Sequence, residues 1–508
     1  MIIERKWLTA LNLAYIYIPV FLFLLGWTRL GFALLTIAVC AVCAFRFWRK
    51  SNIDISGGDR LSVDWIVLIF AVLLFIWIGY YAGYGRFVDQ AYDWKKHNAV
   101  LSDLVLRGWP VLYTNAGEKS MLTYYIGQYI VPATMGKVLH SVRIAEIMLY
   151  VWNTGGLILV FLNICVFTKA DTFLKQLIYA LILSFFSIPL WVSQLLLKVL
   201  LGVNMLGDGQ WFFCSDGVLI QYSSNYTLLR WVFPQVIPIW LIILVLLQNR
   251  DRVRYYVLML LPSIFFGILT FLGVFPLAAA SALECAYRTK RIKDWLKAVF
   301  SPENILMMLS LGTILFFYFY GNVFSNKPTE IGFSIIPQTG DAMVAYFCFI
   351  VVNILPYALI LLRQQCKNWV YYACIITLVL LPLFKMGLWN DLTMRASIPA
   401  LFILMIYVIQ SLFARIEDYC INNSISSKLS ILIISIFMAV GMYYPFEELF
   451  GSVQNEDYFT LGSGNEWGTL EQYANRSLDV TDDLKYNYFS YDIEENLFCK
   501  FLMKREII

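Results

Sequence analysis

Apolar residues run along this chain in blocks of about 17–25, the length an α-helix needs to cross roughly 30 Å of hydrocarbon. "WIVLIFAVLLFIWIGYYAGY" (65–84) and "ILIISIFMAVGMYY" (431–444) are two such blocks. The alternation of polar and apolar residues expected of a barrel strand is absent from them. The pattern predicts an all-α polytopic membrane protein of about thirteen helices. Their expected positions are near 8–26, 29–45, 63–83, 144–167, 176–196, 231–248, 256–271, 273–286, 304–322, 341–362, 369–384, 397–413 and 429–447. The pair 256–271 and 273–286 is short and carries Pro262 and Pro276, which suits a partly inserted hairpin. Residues 1–447 thus form the transmembrane region, and 448–508 a small, acidic and aromatic C-terminal segment.

Positive charge sets the orientation, because cytoplasmic loops collect lysine and arginine. The basic clusters are Arg5–Lys6, "RFWRK" (46–50), "RDRVR" (250–254) and "RTKRIKDWLK" (288–297). All four fall on one side only if one apolar stretch between 84 and 250 fails to cross. The weakest is "MLTYYIGQYIVPATMGKVLH" (121–140), broken by Gln128, Pro132, Gly136 and Lys137. It is expected to lie at the interface, where tyrosines suit the headgroup region. The N-terminus is then cytoplasmic. The 84–143 loop, with its interfacial helices, faces the exoplasm together with the C-terminal segment. The expected location is a bacterial inner or plasma membrane.

Composition agrees with this class. Of 508 residues, 60% are apolar and 14% charged, where soluble proteins run near one half and one quarter. The net charge of +4 is too small to point to nucleic acid. The ten cysteines are scattered, several of them inside apolar segments (Cys40, Cys43, Cys165, Cys348, Cys374). They read as small core residues rather than as a disulfide framework or metal site.

The loop after the third span concentrates chemistry. "GYGRFVDQAYDWKKHNAVLSDLVLRGWPVLYTN" (83–115) holds Asp89, Asp93 and His97, spaced by four and so on one face of any helix that forms there. A carboxylate at a membrane interface is a natural general base for an acceptor hydroxyl. The group could also hold a divalent cation such as Mg or Mn. Against these stands the plain alternative of a solvated connector.

In sequence order come an aspartate just past a span, a second acidic residue and a histidine, "LSDLVLRGWPV", a tyrosine-rich interfacial helix, and a span opened by "HSVRIAEIMLYV". This arrangement resembles the first exoplasmic loop of the GT-C superfamily of polytopic glycosyltransferases. "LMLLPSIFFGILTFLGVFPLAAASALECAYRTKR" (258–291) is similar to that superfamily's short paired helices, and "MRASIPALFILMIYVI" (394–409) to a late helix that opens with arginine. The resemblance covers most of the chain as a pattern, with D-x-x-x-D where an acidic pair is common. It implies transfer of a sugar from a polyprenyl phosphate or diphosphate donor to a glycan or lipid acceptor, with inversion. By position Asp89 is the nearest match to the family's first-loop aspartate, so it or Asp93 would be the base, assisted by His97.

A phosphate at headgroup level calls for cations and polar partners. Arg395 and Lys385 are the first candidates, with Arg230 and Gln235 from "QYSSNYTLLRWVFPQ" (221–235), and Tyr124 from the interfacial helix. Arg395 opens an apolar helix and offers planar, bidentate donors; Asp391 is placed to pair with it. A transporter or flippase of lipid-linked glycans, or a surface-glycan polymerase or ligase, is the alternative function. A transporter would carry charges in mid-span, whereas here they gather at segment ends.

Overall fold

The computed structural model describes the chain apart from residues 1, 54–59, 89, 92, 116–117, 204–209, 214–218, 325–333, 337–338, 387–389, 455–457, 460–469, 471–487, 491–492 and 505–508. The fold is helical throughout the apolar blocks. Helices α1 (Arg5–Trp27), α2 (Leu30–Ile53) and α3 (Trp65–Tyr81) lead to α4 (Trp94–Leu106) and α5 (Gly127–Val138) of the first loop. Next come α6 (Val142–Thr168), α7 (Phe173–Phe185), α8 (Leu190–Leu201), α9 (Asn225–Trp231) and α10 (Phe233–Gln248). The middle of the chain forms α11 (Tyr256–Leu260), α12 (Pro262–Phe266), α13 (Ile268–Thr289), α14 (Ile292–Val299), α15 (Pro302–Met307) and α16 (Thr313–Phe324). The last third forms α17 (Gly340–Asn353), α18 (Leu355–Gln365), α19 (Trp369–Leu380), α20 (Asp391–Ala396), α21 (Ile398–Asn422), α22 (Ile425–Gly441) and α23 (Tyr443–Gln454).

Seven helical stretches among the described residues are long and apolar enough to cross a membrane, or nine if two bent pairs each count as one span. The bends fall where backbone donors are lost or φ is fixed. α7 and α8 meet at 46° across "SIP", and α17 and α18 at 45° just before Pro356. Four further apolar helices, over Trp65–Tyr81, Phe233–Gln248, Val253–Phe266 and Trp369–Leu383, have only 10–17 residues. Each coincides with an expected span, so the apolar pattern locates these helices while overstating their lengths. The break of the expected hairpin also moves: it falls at Gly267, between α12 and α13, and Pro276 is accommodated inside α13.

The molecule has two distinct ends. α1 alone separates them by roughly 35 Å at 1.5 Å per residue. At one end Arg5 donates to the Gln248 carbonyl, Arg46 and Arg254 both meet Glu303 at 3.3 and 2.9 Å, and Arg252 reaches the Lys50 carbonyl. The basic clusters expected on one side therefore do share one end. The first loop and the C-terminal segment share the other. Gln90–Ala91 pairs as a short strand with Tyr458–Phe459, and the hairpin of Leu112–Asn115 and Glu118–Leu122 takes Phe489–Ser490 as a third strand. Lys504 and Arg29 exchange backbone bonds with Trp27 and Leu502, tying the segment to the α1–α2 turn.

α5 has 12 residues and lies against α4 and α6, with the Lys137 ammonium donating to the Val105 and Arg107 carbonyls of the first loop. It is too short to span, as the break in its apolar run predicts. Gly136 lets it approach α6, since an added Cβ would lie 2.6 Å from Ala145 Cβ. The core runs through α6, α10 and α21, where Trp240 stacks on Phe402 at 5.1 Å. Neutral amides join the spans: Asn12 and Asn163 exchange reciprocal hydrogen bonds of 2.8 Å, the usual glue between membrane helices.

Candidate functional site

α4 starts at Asp93 and carries Lys96 and His97 on the same face, three and four positions on. The Asp93 carboxylate accepts from the Lys96 ammonium. Burial alone would raise the Asp93 pKa. The Lys96 charge and hydrogen bond, with smaller help from His97 and Arg395, outweigh that and hold it below the usual carboxylate range. Lys96 is correspondingly held above the usual lysine range: burial opposes its charge, but Asp93 more than offsets this. Its side chain is 15% exposed, and that of Asp93 34%.

His97 is 2% exposed and packed edge-on against Trp94 and Phe233 at ring distances of 5.4 and 5.0 Å. Its Nδ1 lies 2.6 Å from Tyr129 Oη and its Nε2 3.4 Å from the Trp231 carbonyl. A carbonyl can only accept, so Nε2 carries the proton and Nδ1 accepts from Tyr129. Burial, reinforced by the Lys96 charge, pushes His97 down to about 3, against the opposing pull of Asp93. It is neutral at ordinary pH, with both nitrogens directed at protein groups.

Arg395 arrives from the far end of the sequence. Its helix, α20, lies directly on α13: an added Cβ at Gly273 would come within 2.0 Å of the Ala396 carbonyl oxygen, so only glycine permits this approach. Arg395 Nε donates to Asp391 at 3.1 Å, the pairing its i,i+4 spacing predicts, and its side chain is 16% exposed. Arg395 lies within electrostatic range of Asp93, His97, Tyr125 and Tyr129. The rings of Tyr124 and Tyr488 stand 4.9 Å apart, and the backbone N–H of Thr123 donates to the Tyr488 carbonyl. Lys96 and Arg395 thus lie at the same end of the bundle, where α10, α13 and α21 begin.

The inner wall continues from Tyr125, whose hydroxyl meets the backbone N–H of Ile268, to Gly267 and Gln235. Gln235 is buried beside Gly267 and its Oε1 has no protein partner. Arg230 lies deeper than the sequence suggests. It is 2% exposed and paired with Glu448 of α23, which also accepts from Trp231 Nε1 at 2.7 Å. Lys385 sits in a short strand, Phe384–Lys385, paired to Ser334–Ile335 ahead of α20. Asp89 lies outside the described residues; its neighbour Gln90 pairs with Phe459.

Among the described residues no three of His, Cys, Asp and Glu are grouped to hold a metal ion, and Asp93 and Asp391 are each engaged by a cation. Among the described residues, which do not include Asp89, the donor set does not fit a divalent cation. Cys40 and Cys43, at C-x-x-C spacing inside α2, are buried free thiols. Lys96, Glu448 and Tyr488 were not singled out by the sequence, and Tyr125 and Tyr129 were read only as headgroup-region tyrosines. Only Lys96 had a local signal, the i,i+3 spacing from Asp93.

No family model, curated protein or solved structure matches this chain. The chain is a polytopic helical membrane protein on its own structural evidence.

Proposed function

We propose that this protein is an integral-membrane glycosyltransferase. It would move a sugar from a polyprenyl phosphate or diphosphate to a glycan or lipid acceptor at the loop-and-tail end of the bundle. The observation that carries this reading is the gathering, at this end of the bundle, of the Asp93–Lys96 and Asp391–Arg395 ion pairs and the Tyr124–Tyr488 ring pair. Two partly exposed cations at the head of membrane helices suit a lipid phosphate, and arginine can take its oxygens in pairs. The tyrosine rings offer flat faces and hydroxyls to a sugar. Gln235 Oε1 is a buried acceptor still in need of a donor, as a sugar hydroxyl would provide.

In this reading the acceptor hydroxyl oxygen bonds to the anomeric carbon as the carbon–phosphate oxygen bond breaks. The hydroxyl proton passes to a first-loop carboxylate, Asp93 or Asp89, and the lipid phosphate leaves against Lys96 and Arg395. One displacement inverts the anomeric centre. Asp93 is ionised at neutral pH and therefore able to accept. His97 positions Tyr129 and the start of α10 rather than meeting substrate. The amides that join α1 to α6 are neutral, which suits this chemistry better than ion transport through the spans.

The test is transfer of labelled sugar from polyprenyl-phosphate donors by the protein reconstituted in vesicles, with binding of polyprenyl phosphate measured alongside. Transfer that requires the intact first loop is expected. Neither transfer nor saturable binding of any polyprenyl phosphate would remove the proposal.

A further inference from the structure

α14 differs from every other element at the basic end. Ile292, Trp295, Leu296 and Val299 recur at i, i+3, i+4 and i+7 and so form one apolar face, while Lys293 and Lys297 lie on the other. None of its residues is buried: Ile292 and Leu296 are 66% and 41% exposed, and Phe300, which follows, 66%. The chain reverses into it at Lys290, a left-handed residue with φ of 54°. Trp295 Nε1 then donates to the Ala282 carbonyl at 2.9 Å. Ala282 lies seven residues before the end of α13, about 10 Å down that helix. The hydrogen bond therefore pulls α14 back alongside the span, to the depth where headgroups meet acyl chains.

Charge says what should cover this helix. From Arg288 to Phe300 the exposed charges are five cations, Arg288, Lys290, Arg291, Lys293 and Lys297, and one carboxylate, Asp294. Asp294 stands 3.9 Å from Arg291, and Glu284 faces Arg288. An apolar stripe at acyl depth bordered by surplus cations is complementary to an anionic phospholipid, tail to stripe and headgroup to lysines. A soluble partner would meet the cations but leave the stripe in lipid. We infer that α14 is a binding site for anionic phospholipid, formed by Lys290, Arg291, Lys293 and Lys297 around Ile292 and Leu296. This inference does not depend on the glycosyltransferase reading.

Native mass spectrometry of the full-length protein from detergent, titrated with phosphatidylglycerol or phosphatidylcholine, tests it. Each basic residue beside an anionic surface contributes about fivefold. The wild type should therefore retain the anionic lipid at least about tenfold better. The K290Q/R291Q/K293Q/K297Q variant should lose most of that preference, whereas R49Q/K50Q, at the same end but off α14, should keep it. If the quadruple variant does not fold, K293Q/K297Q carries the test, with an expected intermediate loss. Soluble glycerophosphate should not displace the lipid; displacement would mean that the site reads the phosphate alone and would overturn the lipid assignment. Equal retention of the two lipids by wild type, or a full preference surviving in the α14 variants, would overturn the inference as well.

Discussion

Both ends of this molecule set arginines beside carboxylates, yet they do so at opposite extremes of exposure. At the basic end Arg46 and Arg254 are 60% and 39% exposed and share a single acid, Glu303. Only the cation side of these pairs is solvated, Glu303 itself being 5% exposed, and each pair contributes on the order of 1 kcal/mol. At the loop-and-tail end Lys96 and Arg395 are 15% and 16% exposed, Arg230 is 3% exposed, and each has its own carboxylate. Burying a charge is expensive, and a well-packed apolar pair is often as stable. The first arrangement follows from membrane orientation alone. The second asks for a further reason, and a charged reactant is the simplest.

The largest effect should come from removing the base. Asp93→Asn or Asp89→Asn keeps the side-chain shape, and for whichever is the base turnover should fall about 10²–10⁴-fold with the fold intact. Glu303→Gln, the matching change at the basic end, should leave turnover within about twofold. Sugar-transfer rates from reconstituted vesicles decide it. Near-normal rates in both aspartate variants would make the two ends equivalent.

Stability should separate the ends next. Glu448→Gln removes a charge-assisted partner of Arg230, whose side chain is 3% exposed, and should cost about 1.5–3 kcal/mol. Arg46→Gln at the exposed end should cost less than about 1 kcal/mol. Thermal unfolding in detergent measures both, and similar midpoints for the two variants would contradict the comparison.

A smaller effect concerns the donor phosphate. Arg395→Ala should weaken donor binding by roughly 10–100-fold, the value of a charge-assisted pair of about 1.5–3 kcal/mol. Arg395→Lys should recover only part of it, because the planar fork is lost. Unchanged donor affinity in the alanine variant would assign Arg395 to anchoring α20.

The last effect is a slope. His97 has its pKa depressed to about 3 in the fold, against an ordinary value near 6.5 in the unfolded chain. Between those values the unfolded state binds the extra proton. The stability from a neutral His97 is therefore complete above pH 6.5 and is lost as pH falls toward 3, by up to about 1.4 kcal/mol per pH unit. Asp93, held below its ordinary range, adds a loss in the same direction only under more acidic conditions. Unfolding midpoints from pH 7 to 4 should fall less steeply in His97→Gln than in wild type, and parallel curves would refute the buried, neutral assignment.

Sequence legibility divides along the same line. Helices that face lipid announce themselves by composition, and α5 announces its failure to cross through Gln128, Pro132 and Lys137. Asp93 and His97 were legible as a helical face, and Asp391–Arg395 as an i,i+4 pair. The approach of Arg395 to the end of the bundle that holds α4 was not legible, because residues some three hundred positions apart leave no local pattern. Arg230 shows the limit clearly. Its flanking aromatics read as an interfacial surface, but Glu448, the residue that allows it to be buried, belongs to another part of the chain.

The strands that close the first loop connect the earliest and latest portions of the chain. Leu470 donates to Asp103 across 367 positions, and Tyr488 completes a cluster begun by Tyr124. During biosynthesis the loop must therefore wait, exposed and unfinished, until every spanning helix has entered the membrane and the following segment has been made. A chain released early would hold its helices but no finished cluster. Synthesis of Leu470 and Tyr488 would itself be the event that completes the cluster.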